Sequence, residues 1–197
     1  MVPLVIPKEF LLKNEFHELQ ELINFQGWES LCSKPALIDP DQVRAFYSQF
    51  HLLTGTETSN PVACYIGDGD ELTFNSSLIR KLLQIPAEGF HTLPTKAWQG
   101  TEGRVTILNK LFKKVPTVGK ELMTHGLSLT GKMAHQYITR VVVPRQEKRT
   151  TVNTNDAILL DLFLRQEKIN LPRIIIGHMG KCAAKPTHAL PYAALVK

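Results

Sequence analysis

The chain has 197 residues, 43% of them hydrophobic and 21% charged. That supplies a core for one ordinary domain and excludes wholesale disorder. The net charge of +5 conceals an asymmetry: residues 1–98 hold 7 Lys/Arg against 12 Asp/Glu, and residues 99–197 hold 16 against 6. A single domain over 1–197 is expected, or two lobes meeting near residue 98: an acidic helical and hairpin lobe, then a basic helical one. No run of about 18 apolar residues is present, so no membrane-spanning helix is expected. The start, Met1 to Phe10, has two prolines and lacks the charged n-region and long apolar stretch of a signal peptide. An intracellular protein, nuclear or cytoplasmic, follows. Cys32, Cys64 and Cys182 are too few and too scattered for a disulfide framework, and read as reduced, buried thiols.

The apolar spacing predicts a first helix from Lys8 to Gln26, stopped by Gly27. Such an apolar stripe needs a partner surface: the body of the protein or another chain. Phe10, Leu11, Phe16, Leu19, Leu22 and Ile23 are therefore the candidate partner or self-association interface. Trp28 to Cys32 reads as a turn anchoring a large aromatic. Asp39-Pro40 opens a second helix, with Asp39 as cap and Pro40 at the first position, burying Val43, Phe46, Tyr47 and Phe50. Val62, Cys64 and Ile66 alternate, Gly67-Asp-Gly-Asp70 is turn chemistry, and Leu72-Thr-Phe74 can return. This gives one small hairpin around residues 62–74. Asn75 caps a third helix, Leu78 to Gln84, which stops before Pro86.

Residues 87–103 read as a loop. Helices are then predicted over Val105–Lys114 and Leu129–Val142, each followed by a proline, with a basic loop over Gln146–Val152. Thr154 or Asn155 is the expected cap of a helix Asp156–Lys168. Its run Ala157 to Leu164 is apolar nearly all round, the mark of a central helix. Leu171 to Ala184 forms the last, with Pro172 in its first turn. The fold class expected is mainly α: a compact helical domain with one small β-hairpin.

Few motifs carry chemistry. Gly126-Leu-Ser-Leu-Thr-Gly131-Lys132 approaches the phosphate-binding loop, but Met133 replaces the magnesium-holding hydroxyl and no apolar strand precedes it, so a turn and helix start is the better reading. His178 and Cys182 share a helix face with His188 following, short of a zinc ligand set. Asp68, Asp70 and Glu71 cluster at the hairpin tip without the calcium-loop pattern. No cofactor or metal is expected. An enzyme remains an alternative; His135, Asp161, His178 and Cys182 are its first suspects, with no motif behind them.

The basic groups say more. Lys110, Lys113, Lys114 and Lys120 form one; Arg140, Arg145, Lys148 and Arg149 form another. Cations that neutralise phosphates release counterions, so such groups bind nucleic acid in a salt-dependent way. They are the candidate nucleic-acid contacts. Phe112 and Tyr137, the aromatics nearest them, fit core positions, which disfavours base stacking.

Three stretches carry a family resemblance. One is Trp28-Glu-Ser-Leu31 with Val43-Arg-Ala-Phe-Tyr-Ser-Gln-Phe50. The second is Leu72 to Pro86, and the third Asn155 to Ile176. In pattern and order, over roughly residues 15–195, the chain resembles the plant transposon protein domain of plant retrotransposon-related open reading frames. The resemblance implies a non-catalytic part of a mobile element and brings no catalytic residues with it. Two readings stay open beside the enzyme: a binding and assembly module meeting nucleic acid through its basic half, and a host-recruited regulator acting by protein–protein contact.

Overall fold

The computed structural model describes residues 16–32, 39–53, 62–67, 70–91, 102–114, 121–145, 149–184 and 192. Among these residues seven α-helices and one three-stranded sheet follow in the order α1 (His17–Gln26), α2 (Pro40–Ser48), β1 (Phe50–Leu52), β2 (Ala63–Gly67), β3 (Asp70–Phe74), α3 (Ser76–Leu83), α4 (Glu102–Leu111), α5 (Leu129–Tyr137), α6 (Thr154–Leu164) and α7 (Leu171–Ala183). The mainly helical class and the small hairpin stand as expected.

Local chemistry sets most of the element ends. Gly27 closes α1 in the left-handed region at φ 70°, its amide reaching back to the carbonyls of Ile23 and Asn24. Asp39 caps α2 by accepting from the amide of Asp41, and Pro40 takes the first turn. Asn75 caps α3 through the amide of Leu78. At α6 the cap is Asn153, one residue before the expected Thr154 or Asn155. Its side chain accepts from the amide of Asp156, whose carboxylate accepts from the amide of Asn153 in return. The helix also ends at Leu164 rather than Lys168, leaving Arg165–Asn170 as a connector.

A second difference lies at Phe50. The expected α2 ran through it, but the helix stops at Ser48 and Phe50 opens a strand. The sheet is antiparallel in the order β1-β2-β3, with Phe50 opposite Tyr65 and Tyr65 opposite Leu72. Phe50 stays buried in its new role. With Phe46, Tyr65 and Phe74 it forms an aromatic cluster, centroids 4.9–5.6 Å apart, that glues α2 to the sheet.

α6 is the hub. Every residue from Asp156 to Phe163 is buried, and α1, α4 and α5 all pack on it. Trp28, wholly buried, lies nearly parallel to Phe163 (5.6 Å) and Tyr137 (6.5 Å). α7 packs on α3 and on β1, approaching so closely that a Cβ at Gly180 would fall 2.1 Å from Leu52 Cδ1. One hydrophobic cluster takes residues from both halves of the chain, from Leu19 to Cys182. The proposed lobe boundary near residue 98 lies outside the described residues.

The first helix resolves one alternative. Leu19, Leu22 and Ile23 are 2%, 6% and 1% exposed, and Phe16 packs partly buried against the core. The stripe finds its partner surface in α5 and α6 of the same chain, so these four side chains are not a free interface. Phe10 and Leu11 lie outside the described residues.

Candidate functional site

Two isolated bridges tie one segment to a neighbour of each basic group. α4 ends at Leu111, and Phe112 then pairs by an antiparallel bridge with Leu127. Met123 pairs in the same way with Thr151, reinforced by Thr124 N to Thr150 O at 2.9 Å and Val152 N to Leu122 O at 2.7 Å. The segment 122–127 thus touches the end of the first basic group on one side and the end of the second on the other. Its tight turn, Thr124–Gly126, lies against the Phe112 ring, which a Cβ at Gly126 would meet at 2.9 Å.

Around this seam Lys110, Lys113 and Lys114 are exposed, and Arg140 and Arg149 are partly buried. Lys120 and Lys148 lie outside the described residues. Phe112 and Tyr137 are 3% and 0% exposed, as core positions should be, so neither can stack on a base.

Arg145 does not fit the surface role expected of it. Its guanidinium NH2 lies 2.7 Å from Asp156 Oδ2 and donates to the carbonyl of Thr151 at 2.5 Å. Asp156 is only 5% exposed and already receives the amide of Asn153. A buried carboxylate requires a compensating cation, and Arg145 is that cation. The sequence could not show this because the partner lies eleven positions on, across the basic loop.

His135 completes the cluster. Wholly buried, it places Nε2 3.4 Å from Asp156 Oδ2 and 3.5 Å from Arg145 NH2. One nitrogen cannot serve both: carrying hydrogen it donates to the carboxylate, and bare it accepts from the guanidinium. His135 Nδ1 and Arg145 Nε are buried without a partner. The hydrogen on Nε2 is the better arrangement, since it leaves an unmet acceptor on Nδ1 rather than a buried unmet donor.

The other enzyme suspects sit elsewhere. Asp161, buried on α6, accepts from Arg165 Nε (3.0 Å) and NH2 (2.7 Å), and this hydrogen bonding holds the arginine's pKa above its usual value. His178 and Cys182 do share α7 as spaced. Tyr192 donates its hydroxyl to the carbonyl of Val142 at 2.8 Å, so His178 Nδ1, 3.1 Å away, donates to that hydroxyl. Burial, with Tyr47 and Cys182 nearby, pushes the Tyr192 phenol well up. Val142 ends a π-helical turn, Ile138–Val142, that continues α5 and that periodicity did not foretell.

Among the described residues no group of three or more His, Cys, Asp or Glu is placed to hold a metal. His188, Asp68 and the side chain of Asp70 are outside that description; Glu71 is exposed and accepts from the Cys64 thiol at 3.1 Å. The stretch 126–132 runs from the end of the tight turn into the start of α5, with the cap Ser128 Oγ accepting the amide of Gly131 at 3.0 Å. No described helix is long and apolar enough to cross a membrane.

No curated protein and no solved structure matches the chain. The family described as "Putative plant retrotransposon-related domain" matches residues 24–197, which take in every element from the C-terminal end of α1 to the last residue, and the chain belongs to that family.

Proposed function

We propose that this domain is a non-catalytic binding and assembly module of the plant retrotransposon-related family, contacting nucleic acid through its basic half. The observation that supports it is the seam at residues 122–127, which is bridged to Phe112, next to Lys113 and Lys114, and to Thr151, two residues from Arg149. Lys110, Lys113 and Lys114 are exposed there, and Arg149 lies one residue from the paired Thr150. Clustered cations raise the local potential and attract a polyanion before any specific contact forms. Burial of Leu19, Leu22 and Ile23 removes part of the apolar stripe on which both the assembly half of this reading and the protein-contact alternative drew.

Fluorescence anisotropy with labelled DNA and RNA at two salt concentrations tests the reading. Binding that weakens steeply with salt, and is lost in a Lys113→Glu/Lys114→Glu/Arg149→Glu variant, is expected. Absence of binding at low salt refutes it. Capture experiments using the whole chain as bait then become the next step.

A further inference from the structure

One edge of the sheet is open among the described residues. β1 packs against α7, where Gly180 meets the Leu52 side chain. β3 is the other edge, and no described strand pairs with its outer side. The ladder fixes which backbone groups point there. Gly67 and Asp70 are paired with only two residues between them, so the bonds that close the ladder are their own. Alternation then makes Tyr65–Leu72 and Ala63–Phe74 hydrogen-bonded pairs, with Ile66–Glu71 and Cys64–Thr73 the pairs between. The far side of β2 agrees. Leu53 N donates to Val62 O at 2.9 Å, so Val62 and Cys64 turn their backbone groups to β1, and Ala63 and Tyr65 turn theirs to β3. Glu71 and Thr73 therefore aim N–H and C=O outward, symmetrically about Leu72, and both residues are exposed.

We infer that β3 pairs antiparallel with β3 of a second copy of this chain, about a two-fold axis through Leu72, joining the two sheets into one. This rests on the assembly half of the reading above, names its partner, and does not depend on the nucleic-acid half. A second copy is favoured over a foreign strand because the edge is complementary to itself. Centred on Leu72, Glu71 stands opposite Thr73 of the partner subunit and exchanges both backbone bonds with it, and the reciprocal pair does the same. Asp70 falls opposite Phe74 of the partner subunit, so no acid directly faces an acid. Leu72 meets its own copy. The register puts it on one face with Tyr65 and Phe50, but Phe50 is 1% exposed and Leu72, past the cover of the core, 48%. Pairing the two leucines continues that apolar row across the axis. Edge strands that stay single are commonly guarded by lysine, proline or a bulge. β3 has none of these: it reads Asp-Glu-Leu-Thr-Phe, and its register with β2 is unbroken. The Glu71 carboxylate accepts the Cys64 thiol at 3.1 Å, which turns it back over β2 and away from the axis.

Analytical ultracentrifugation of the whole chain over a range of concentrations is the test. A monomer–dimer equilibrium is expected. It should tighten as salt rises, because the two Glu71 residues sit diagonally across the axis, about 7–8 Å apart, and salt screens their repulsion. Nucleic-acid binding would weaken under the same change. Leu72→Lys sets like charges directly opposite and should weaken the dimer by about tenfold or more. The circular dichroism of that variant should match wild type, since Leu72 is half-exposed. Leu72→Cys should cross-link on oxidation, because residues opposite each other in a non-hydrogen-bonded pair have Cα atoms about 4.5 Å apart, within disulfide reach. Lys110→Cys, exposed on α4, is the control and should not cross-link; the native cysteines are buried. A chain that stays monomeric at every concentration overturns the proposal and leaves the edge to a foreign strand or to solvent. A dimer that Leu72→Lys does not weaken, or that cross-links equally through Lys110→Cys, overturns this edge while the assembly reading stands. If Leu72→Lys does not fold, the cross-linking of Leu72→Cys decides alone. Dimerisation through Leu72 in a protein that binds no nucleic acid supports the inference while refuting the nucleic-acid reading.

Discussion

The side-chain amide of Gln26 closes on the connector that leads into α7: Oε1 accepts the amide of Ile169 at 3.1 Å, while Nε2 donates to the carbonyl of Glu167 at 2.6 Å. The two residues stand 143 positions apart, and Gln26 is 1% exposed. A buried primary amide used in both senses substitutes for a backbone strand partner. On the other side, Phe90 pairs in parallel with Ile169, receiving Asn170 N and donating to Lys168 O, each at 2.8 Å. The connector thus joins the end of α1, residues 87–90 and the last two helices.

Gln26→Ala should therefore destabilise the fold by about 1–3 kcal/mol, because it leaves the buried amide of Ile169 unmet and takes a partner from the part-buried carbonyl of Glu167. Urea denaturation followed by far-ultraviolet circular dichroism measures this. A loss below about 0.5 kcal/mol, the size of an ordinary surface change, would show that water replaces the amide without penalty.

Gly89 is the second constraint on the same junction. It sits at φ 95°, and a Cβ there would lie 2.1 Å from the Lys168 carbonyl oxygen. Gly89→Ala meets both a forbidden backbone region and a backbone clash, so the cost should exceed the usual 1 kcal/mol or so for a glycine at positive φ. A melting temperature within a degree or so of wild type would contradict the close approach.

Asp156→Ala should cost about 3–5 kcal/mol, the usual penalty for breaking a buried charge pair from one side. It removes a reciprocal cap of α6 and strands the Arg145 guanidinium beside a buried imidazole. Amide exchange should accelerate first at Asn153 and the start of α6. Uniform acceleration across all helices would instead place the residue's role in global packing.

Alkaline pH should unfold the protein cooperatively. Burial, together with the nearby Cys182, raises the Tyr47 phenol above its ordinary value; burial and Cys32 do the same for Tyr137, and burial with Tyr47 and Cys182 for Tyr192. A raised pKa means the folded state keeps a proton that the unfolded chain releases. The stabilisation is complete below the ordinary phenol pKa of about 10 and declines as pH rises above it. Near-ultraviolet tyrosinate absorbance and circular dichroism should change together in that range. Full ionisation of all tyrosines with intact helices would disprove their burial.

Some of this was readable from residue order alone. The caps Asp39, Asn75 and Gly27, the alternation from Val62 to Phe74, and the apolar run of α6 are local signals, decided by a side chain and the backbone within a few positions of it. They sufficed for the helical class, the hairpin and the family resemblance. Phe50 was misread because a buried aromatic suits the fourth position of a helical stripe and the first of a strand equally well, and only the Tyr65 partner settles it.

What tertiary structure alone decided are the relationships between distant charges and amides. The same letters, Arg145 and Arg149, describe one cation bound to Asp156 and another carried on its carbonyl. Residue order records that the charges are there, whereas burial dictates which of them must be neutralised from within. In water an arginine needs no partner, but a carboxylate withdrawn from water does, and folding chose Arg145 by bringing the start of α6 against the end of the turn that follows α5. The same logic made Gln26 a structural bracket and turned Leu19, Leu22 and Ile23 inward. Solvent exclusion is a property of the assembled core, so its demands appear only once the core exists.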